Sequence, residues 1–231
     1  LQKHAASTVV YAQLGWRGTD KIVLPDCLIT ADAITPLNPS NNIANATMCL
    51  QYPPRGDLET WKSIVSAYES PRMEGFQFGF CVGFGAPLFS QIGVAGVTVS
   101  MVGPPGAGKS TAMHASTSII GHPEHFGRVD MMTDTINAVY GKLGVLNHFA
   151  ATMDESSNLP PETTSDLLYT ITRGQGRQRQ TRTGEARDNH GNWALPLLTT
   201  TNKSLLSKLA AFKDDASAES VRVFEYNLPG N

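Results

Sequence analysis

The run Gly103-Pro104-Pro105-Gly106-Ala107-Gly108-Lys109-Ser110-Thr111 fits the G-x-x-x-x-G-K-[ST] pattern of a phosphate-binding loop. Glycines there let the backbone curl so that successive N–H groups point inward at β- and γ-phosphates. The helix that starts behind the loop adds the positive end of its dipole. Lys109 can bridge the two phosphates, and the Ser110 hydroxyl can ligate Mg2+. Glycine loops also match this pattern by accident. Here an apolar run at residues 97–102 precedes the loop and a helical pattern follows it, the context the chemistry needs. The loop predicts that the chain binds ATP with Mg2+ and hydrolyses it.

A phosphate loop needs a carboxylate elsewhere for its magnesium. Asp154-Glu155 follows an apolar run at residues 149–153, which reads as a strand. Asp154 would hold the metal directly or through water, and Glu155 would polarise the attacking water. The blander reading is that the pair caps the next element. A second strand-like run ends in Thr201-Asn202, where an amide could orient water near a γ-phosphate without carrying charge, although Asn is also a common turn former.

Arg173, Arg177, Arg179, Arg182 and Arg187 crowd a segment that is nearly free of acids, and His190 follows at the turn. Arginines on a hairpin suit phosphate contacts with a nucleic acid, and a solvated polar hairpin is the alternative. Arg222 sits in Ser-Val-Arg-Val-Phe, where alternation would point Val221 and Val223 one way and Arg222 the other. It could be a finger for an adjacent subunit's γ-phosphate or a plain edge-strand arginine.

These residues need a scaffold, and the chain has the composition for one. It has 231 residues, 41% hydrophobic and 16% charged, with a net charge of −2, so it is globular and would need a local basic patch to hold nucleic acid. Cys27, Cys49 and Cys81 are widely spaced and odd in number, which points to a reducing compartment, the cytoplasm, rather than a disulfide framework. No charge lies between Glu74 and Lys109, yet glycines and prolines interrupt that stretch. It reads as a buried helix over residues 76–89, a turn and a central strand, not a membrane span. Starting at Leu1 without Met, the sequence looks like a piece of a longer protein.

Residues 1–56 read as a small strand- and turn-rich region, with short strands at 9–11 and 22–24 and a loop at 38–42. Asp57 caps a helix with Trp61, Ile64, Val65 and Tyr68 on one face. From residue 93 the pattern is α/β: a central parallel strand at 97–102, helices at 109–120 and 135–143, and a helix opened by Pro160-Pro161. A hairpin spans 178–201, and a last strand covers 221–226. His122 and His125 lack partners for a metal set, and Trp16, Trp61 and Trp193 read as core anchors.

The order of phosphate loop, Asp-Glu, arginine hairpin, Thr-Asn strand and late arginine resembles the ATPase core of superfamily 3-like AAA+ helicases, which are fused to primases in phages, plasmids and large DNA viruses. It is similar, more closely, to a domain-of-unknown-function family of phage and plasmid primase-helicase-like proteins. Gly15-Trp16, Val23-Leu-Pro-Asp26, the apolar stretch 76–89, Thr133–Ala138 by its Thr-x-x-x-Asn-Ala pattern, and Gly174-x-Gly-Arg177 carry that likeness, which covers nearly the whole chain.

The resemblance implies an AAA+-like P-loop fold, a parallel sheet with helices on both faces, over residues 57–231. It further implies a hexameric ring of identical subunits moving on DNA, single-stranded by preference, beside primase or other replication domains. Lys109, Ser110, Asp154 and Glu155 would carry hydrolysis, Asn202 would be the sensor, and Arg222 the trans-acting finger. The hairpin with Arg177, Arg179, Arg182 and Arg187 would grip phosphates in the pore. Where the family often has a lysine at the hairpin tip, this chain has Asp188-Asn-His190-Gly-Asn192, leaving His190 or the arginines to that task. A small-molecule or nucleotide kinase, and a packaging or remodelling ATPase, are the other readings. Asp154-Glu155 disfavours the kinase, which needs no glutamate to activate water.

Overall fold

Residues 96–102 are rich in β-branched side chains, and they form the strand around which the rest is arranged. In the computed structural model, which describes residues 10–37, 43–176, 191–213 and 215–229, β5 (Gly96–Val102) lies between β7 (Leu195–Thr201) and β8 (Val223–Asn227). Both neighbours run parallel to it, and β6 (Ala151–Met153) runs parallel on the far side of β7, giving the order β6-β7-β5-β8. Beyond β6, Thr152 N–H donates to Gly127 O at 3.0 Å and its carbonyl accepts from Val129 N–H at 2.9 Å, a rudimentary further strand.

Successive residues of β7 point to opposite faces. Leu197 enters a core with Val139, Leu143 and Leu146 of α5 (Ile136–Leu146) and Leu167 and Ile171 of α6 (Pro161–Arg173). Leu198 enters another with Val99, Met101, Phe76 of α3 (Glu74–Gly85), and Ala112 and Met113 of α4 (Lys109–Thr117). Helices therefore cover both faces, as a parallel sheet requires. A third cluster joins Leu168, Val223 and Leu209 of α7 (Leu205–Phe212), beside the short α8 (Ser217–Ser220).

The N-terminal part is an antiparallel meander, β1 (Gly15–Arg17), β2 (Lys21–Val23), β3 (Cys27–Thr30) and β4 (Ile34–Pro36), followed by α1 (Ile43–Gln51). Leu14, Val23 and Met48 belong to the same core as α5 and β6, so this part is packed into the α/β unit. Asp57 caps α2 (Leu58–Val65) as expected, accepting from Thr60 N–H at 2.8 Å.

Several expectations need correction. Val10 and Tyr11 lie in no strand, and α1 was not foreseen. The helix α3, uncharged after Glu74, is not buried throughout: Phe76, Gly79 and Gly83 face inward, while Phe78 and Phe84 are 44% and 54% exposed. Apolar composition all round hides which side meets the sheet. On α2, Ile64 points to solvent. Among the tryptophans, Trp193 is buried, whereas Trp16 and Trp61 are half-buried and donate their indole N–H to Pro87 O and Ser118 Oγ at 2.9 and 2.8 Å. Of the expected hairpin over 178–201, the arm 178–187 lies outside the described residues, and the arm that is described continues as β7 with parallel partners on both sides. No helix among the described residues is long and apolar enough to cross a membrane.

The meander is keyed to the α/β part at Gly15. Its φ of +84° is open to glycine, and a Cβ there would lie 2.6 Å from His148 Cβ. Trp16 N–H donates to His148 Nδ1 at 2.9 Å, so that nitrogen must stay unprotonated. Burial, aided by the charge of Arg17, pushes the His148 imidazole down to about 4. The unfolded chain then takes up this proton first as pH falls. Stability from the neutral ring is complete above about pH 6.5 and is lost progressively from there toward about pH 4. The thermal midpoint should fall over that window, and His148→Asn, which keeps an acceptor but does not titrate, should flatten the fall. Equal slopes for both proteins would rule out His148 as the source.

Candidate active site

The phosphate loop leaves β5 at Val102 and enters α4 at Lys109. Gly103 N–H still donates to Thr201 O at 3.1 Å, so the first loop residue is tied to β7. Gly106 and Gly108 take left-handed φ values of +80° and +84°, which turn the chain into a cup that L side chains would strain. Gly108 also forms the N-cap of α4, with its carbonyl receiving Ala112 N–H at 3.0 Å. The N-terminus of α4 thus opens on the cup these glycines shape, while Gly103 N–H and Ala107 N–H are given to Thr201 O and Pro104 O.

Lys109 is 6% exposed. Its ammonium donates to Gly103 O and Pro104 O, each at 2.8 Å, and to Asn202 Oδ1 at 3.0 Å. All three protons are used, as a buried charge requires. Phosphate oxygens entering the loop would compete for these same protons.

The strand order delivers the remaining groups. β7 lies between β5 and β6, so Asn202 just past its end stands between Lys109 and the residues that follow β6. Ser110 Oγ donates to Asp154 Oδ1 at 3.0 Å. Thr200 Oγ1 also donates to Asp154 Oδ1, and it accepts Glu155 N–H at 3.0 Å. Asn202 Nδ2 donates to Glu155 Oε2 at 2.7 Å. One amide therefore bridges the loop lysine and the glutamate. Glu155 has a φ of +51°, a left-handed conformation rare for a residue with a side chain.

Ser110 and Asp154 present a hydroxyl and a carboxylate within one hydrogen bond, an all-oxygen pair that suits Mg2+. No cluster of three His, Cys, Asp or Glu able to hold a metal occurs among the described residues. A cation here would take its further ligands from phosphate and water, the usual mode for magnesium.

The structure thus brings together Lys109, Ser110, Asp154, Glu155 and Asn202. It does not bring Arg222 to them. Arg222 precedes β8 and its carbonyl accepts Thr98 N–H at 3.1 Å, at the end of the sheet opposite the loop. Its guanidinium lies 4.1 Å over the Tyr169 ring and donates to Ala218 O. The expected alternation fails at this point, since Val223 is buried and Val221 is 79% exposed ahead of the strand. Arg177, Arg179, Arg182, Arg187 and His190 lie outside the described residues; the antiparallel bridge of Gln175 with Asn192 joins the two flanks of that segment.

Thr200 and Ser157 were not foreseen. Thr200 carried a signal, because a period of two puts it on the face of Asn202. Ser157, whose hydroxyl donates to Glu155 Oε1, is reached through a 3-10 turn that no periodicity announces.

A family model described as a domain of unknown function, DUF927, matches residues 1–190. No curated protein matches the chain. A solved structure described as the SCCmec type IV Cch active helicase is 24% identical, with a TM-score of 0.59 over 93% of this chain and 41% of its own. NtrX from Brucella abortus in complex with ATP is 17% identical, with a TM-score of 0.43 over 75% of this chain and 43% of its own. JCV helicase is 16% identical, with a TM-score of 0.39 over 76% and 46%. The likeness to the Cch helicase is one of fold, a P-loop α/β architecture, and this chain spans about two-fifths of that protein.

The Thr200 hydroxyl can be tested directly. Thr200→Val keeps the shape and removes the hydroxyl's bonds to Glu155 N–H and Asp154 Oδ1, while Glu155 N–H keeps Asp154 Oδ1 at 3.1 Å, so the cost in urea unfolding should be about 0.5–1.5 kcal/mol. A change below about 0.5 kcal/mol would show that water replaces the hydroxyl without loss.

Proposed function

The chain belongs to the DUF927 family, and from that premise and the site geometry we propose that it is an ATP-hydrolysing motor of the superfamily 3-like AAA+ helicase kind. The observation that carries the reading is the convergence of Lys109, Ser110, Asp154, Glu155 and Asn202 through contacts of 2.7 to 3.0 Å at the ends of three adjacent parallel strands. A kinase needs no glutamate to activate water, so the pair Asp154-Glu155 disfavours that reading.

In this reading Lys109 exchanges the Gly103 and Pro104 carbonyls for β- and γ-phosphate oxygens. Ser110 and Asp154 would hold Mg2+, which would neutralise charge developing on the phosphates. Glu155 accepts a proton from the attacking water, and Asn202 orients that water by its amide. Arg222 lies at the end of the sheet away from its own loop, and in this reading it is a finger that acts on a neighbouring subunit's nucleotide in a homo-oligomeric, hexameric ring. Arg177, Arg179, Arg182, Arg187 and His190 would contact single-stranded DNA in the pore, as in a phage or plasmid replication protein with flanking primase domains.

Glu155→Gln should bind ATP as the parent does and lose at least about a hundredfold in turnover. Turnover within a few-fold of the parent would remove Glu155 from its role. Single-stranded DNA should stimulate hydrolysis, and an Arg179→Ala/Arg182→Ala double variant should lose DNA binding with ATP binding intact. If DNA changes neither turnover nor oligomeric state, the motor reading fails while the hydrolase reading stands.

A further inference from the structure

Both oxygens of the Glu155 carboxylate are engaged, and from different sides. Asn202 Nδ2 donates to Oε2 at 2.7 Å from the end of β7, and Ser157 Oγ donates to Oε1 from the 3-10 turn Ser156–Asn158. That turn is itself pinned. Ser156, 2% exposed, donates its hydroxyl to Thr200 O at 3.2 Å, and Lys208 of α7 donates its ammonium to Ser157 O at 2.8 Å and also to Leu159 O. Ser157 therefore sits on a rigid support reaching back to both β7 and α7.

We propose that Ser157 is a positioning residue that orients the general base Glu155, an inference that rests on the hydrolase reading above. A carboxylate offers about four lone-pair sites, so two donors on different oxygens fix its plane and leave one site on each oxygen for water. A general base works only when its free lone pair lies within hydrogen-bond reach of the proton it takes. Asn202 alone would leave the carboxylate free to rotate about its last bond, a soft torsion. With Ser157 on the other oxygen, that rotation is closed. The left-handed backbone at Glu155 makes the clasp possible, because it turns the chain back so that the side chains two residues apart meet.

The test uses the intact chain. Ser157→Ala should lower kcat about 5- to 30-fold, with ATP affinity and thermal midpoint unchanged, and Ser157→Thr, which keeps the hydroxyl, should restore turnover. In a Glu155→Gln background, Ser157→Ala should cost nothing more, because residues that act as one unit are not additive. Unchanged kcat in Ser157→Ala, failure of the Thr variant to restore it, or a further loss in the Glu155→Gln background would each overturn the assignment. Retained turnover in Glu155→Gln by itself would instead strike Glu155 as the general base, so the two failures are separable.

Discussion

A lysine ammonium almost removed from water must have every proton accepted, and that demand organises the site around Lys109. Two acceptors come from the loop's own carbonyls and the third from Asn202, which belongs to another strand. Asn202 can reach only because β7 is inserted between the loop strand and β6. The same insertion puts Thr200 under Asp154 and Glu155 and brings the Asn202 amide onto the glutamate. The position of one strand therefore joins the phosphate loop to the carboxylates. In this arrangement the lysine and the glutamate share a partner, so whatever draws Lys109 away also changes what Asn202 can do for Glu155.

Much of this was legible in the sequence where the signal is local. The loop is a contiguous pattern whose glycines answer to backbone angles, and Thr135, Pro161 and Gly174 bound their helices by capping rules that act within a turn. Asp154, Glu155 and Asn202 were readable because each follows a short strand-like run. What was not legible depends on tertiary placement. The three- and four-residue strands of the meander are too short to show alternation, and α1 lies next to residues that read as loop. Uniform apolarity concealed which face of α3 packs. Ser157 joins the site through a turn and a left-handed residue, neither of which leaves a periodic trace.

The two cores on either side of the sheet explain why the site is stiff. Leu197 and Leu198 anchor β7 into opposite layers, and every residue of that strand is buried. A strand fixed on both faces and paired on both edges has little freedom to shift, so the residues at its end are placed to within the tolerance of packing. The N-terminal meander contributes to the same stiffness, since Leu14 and Val23 fill the core that supports β6.

The left-handed backbone of Glu155 has a bearing on how such a site persists. A side-chain-bearing residue in that region stores on the order of 1–3 kcal/mol that glycine would not, and asparagine would carry less of it. Selection for stability alone would therefore drift this position toward Gly or Asn. The glutamate marks a place where the fold is held below its own optimum, and a library sorted for thermal resistance rather than turnover should lose it early.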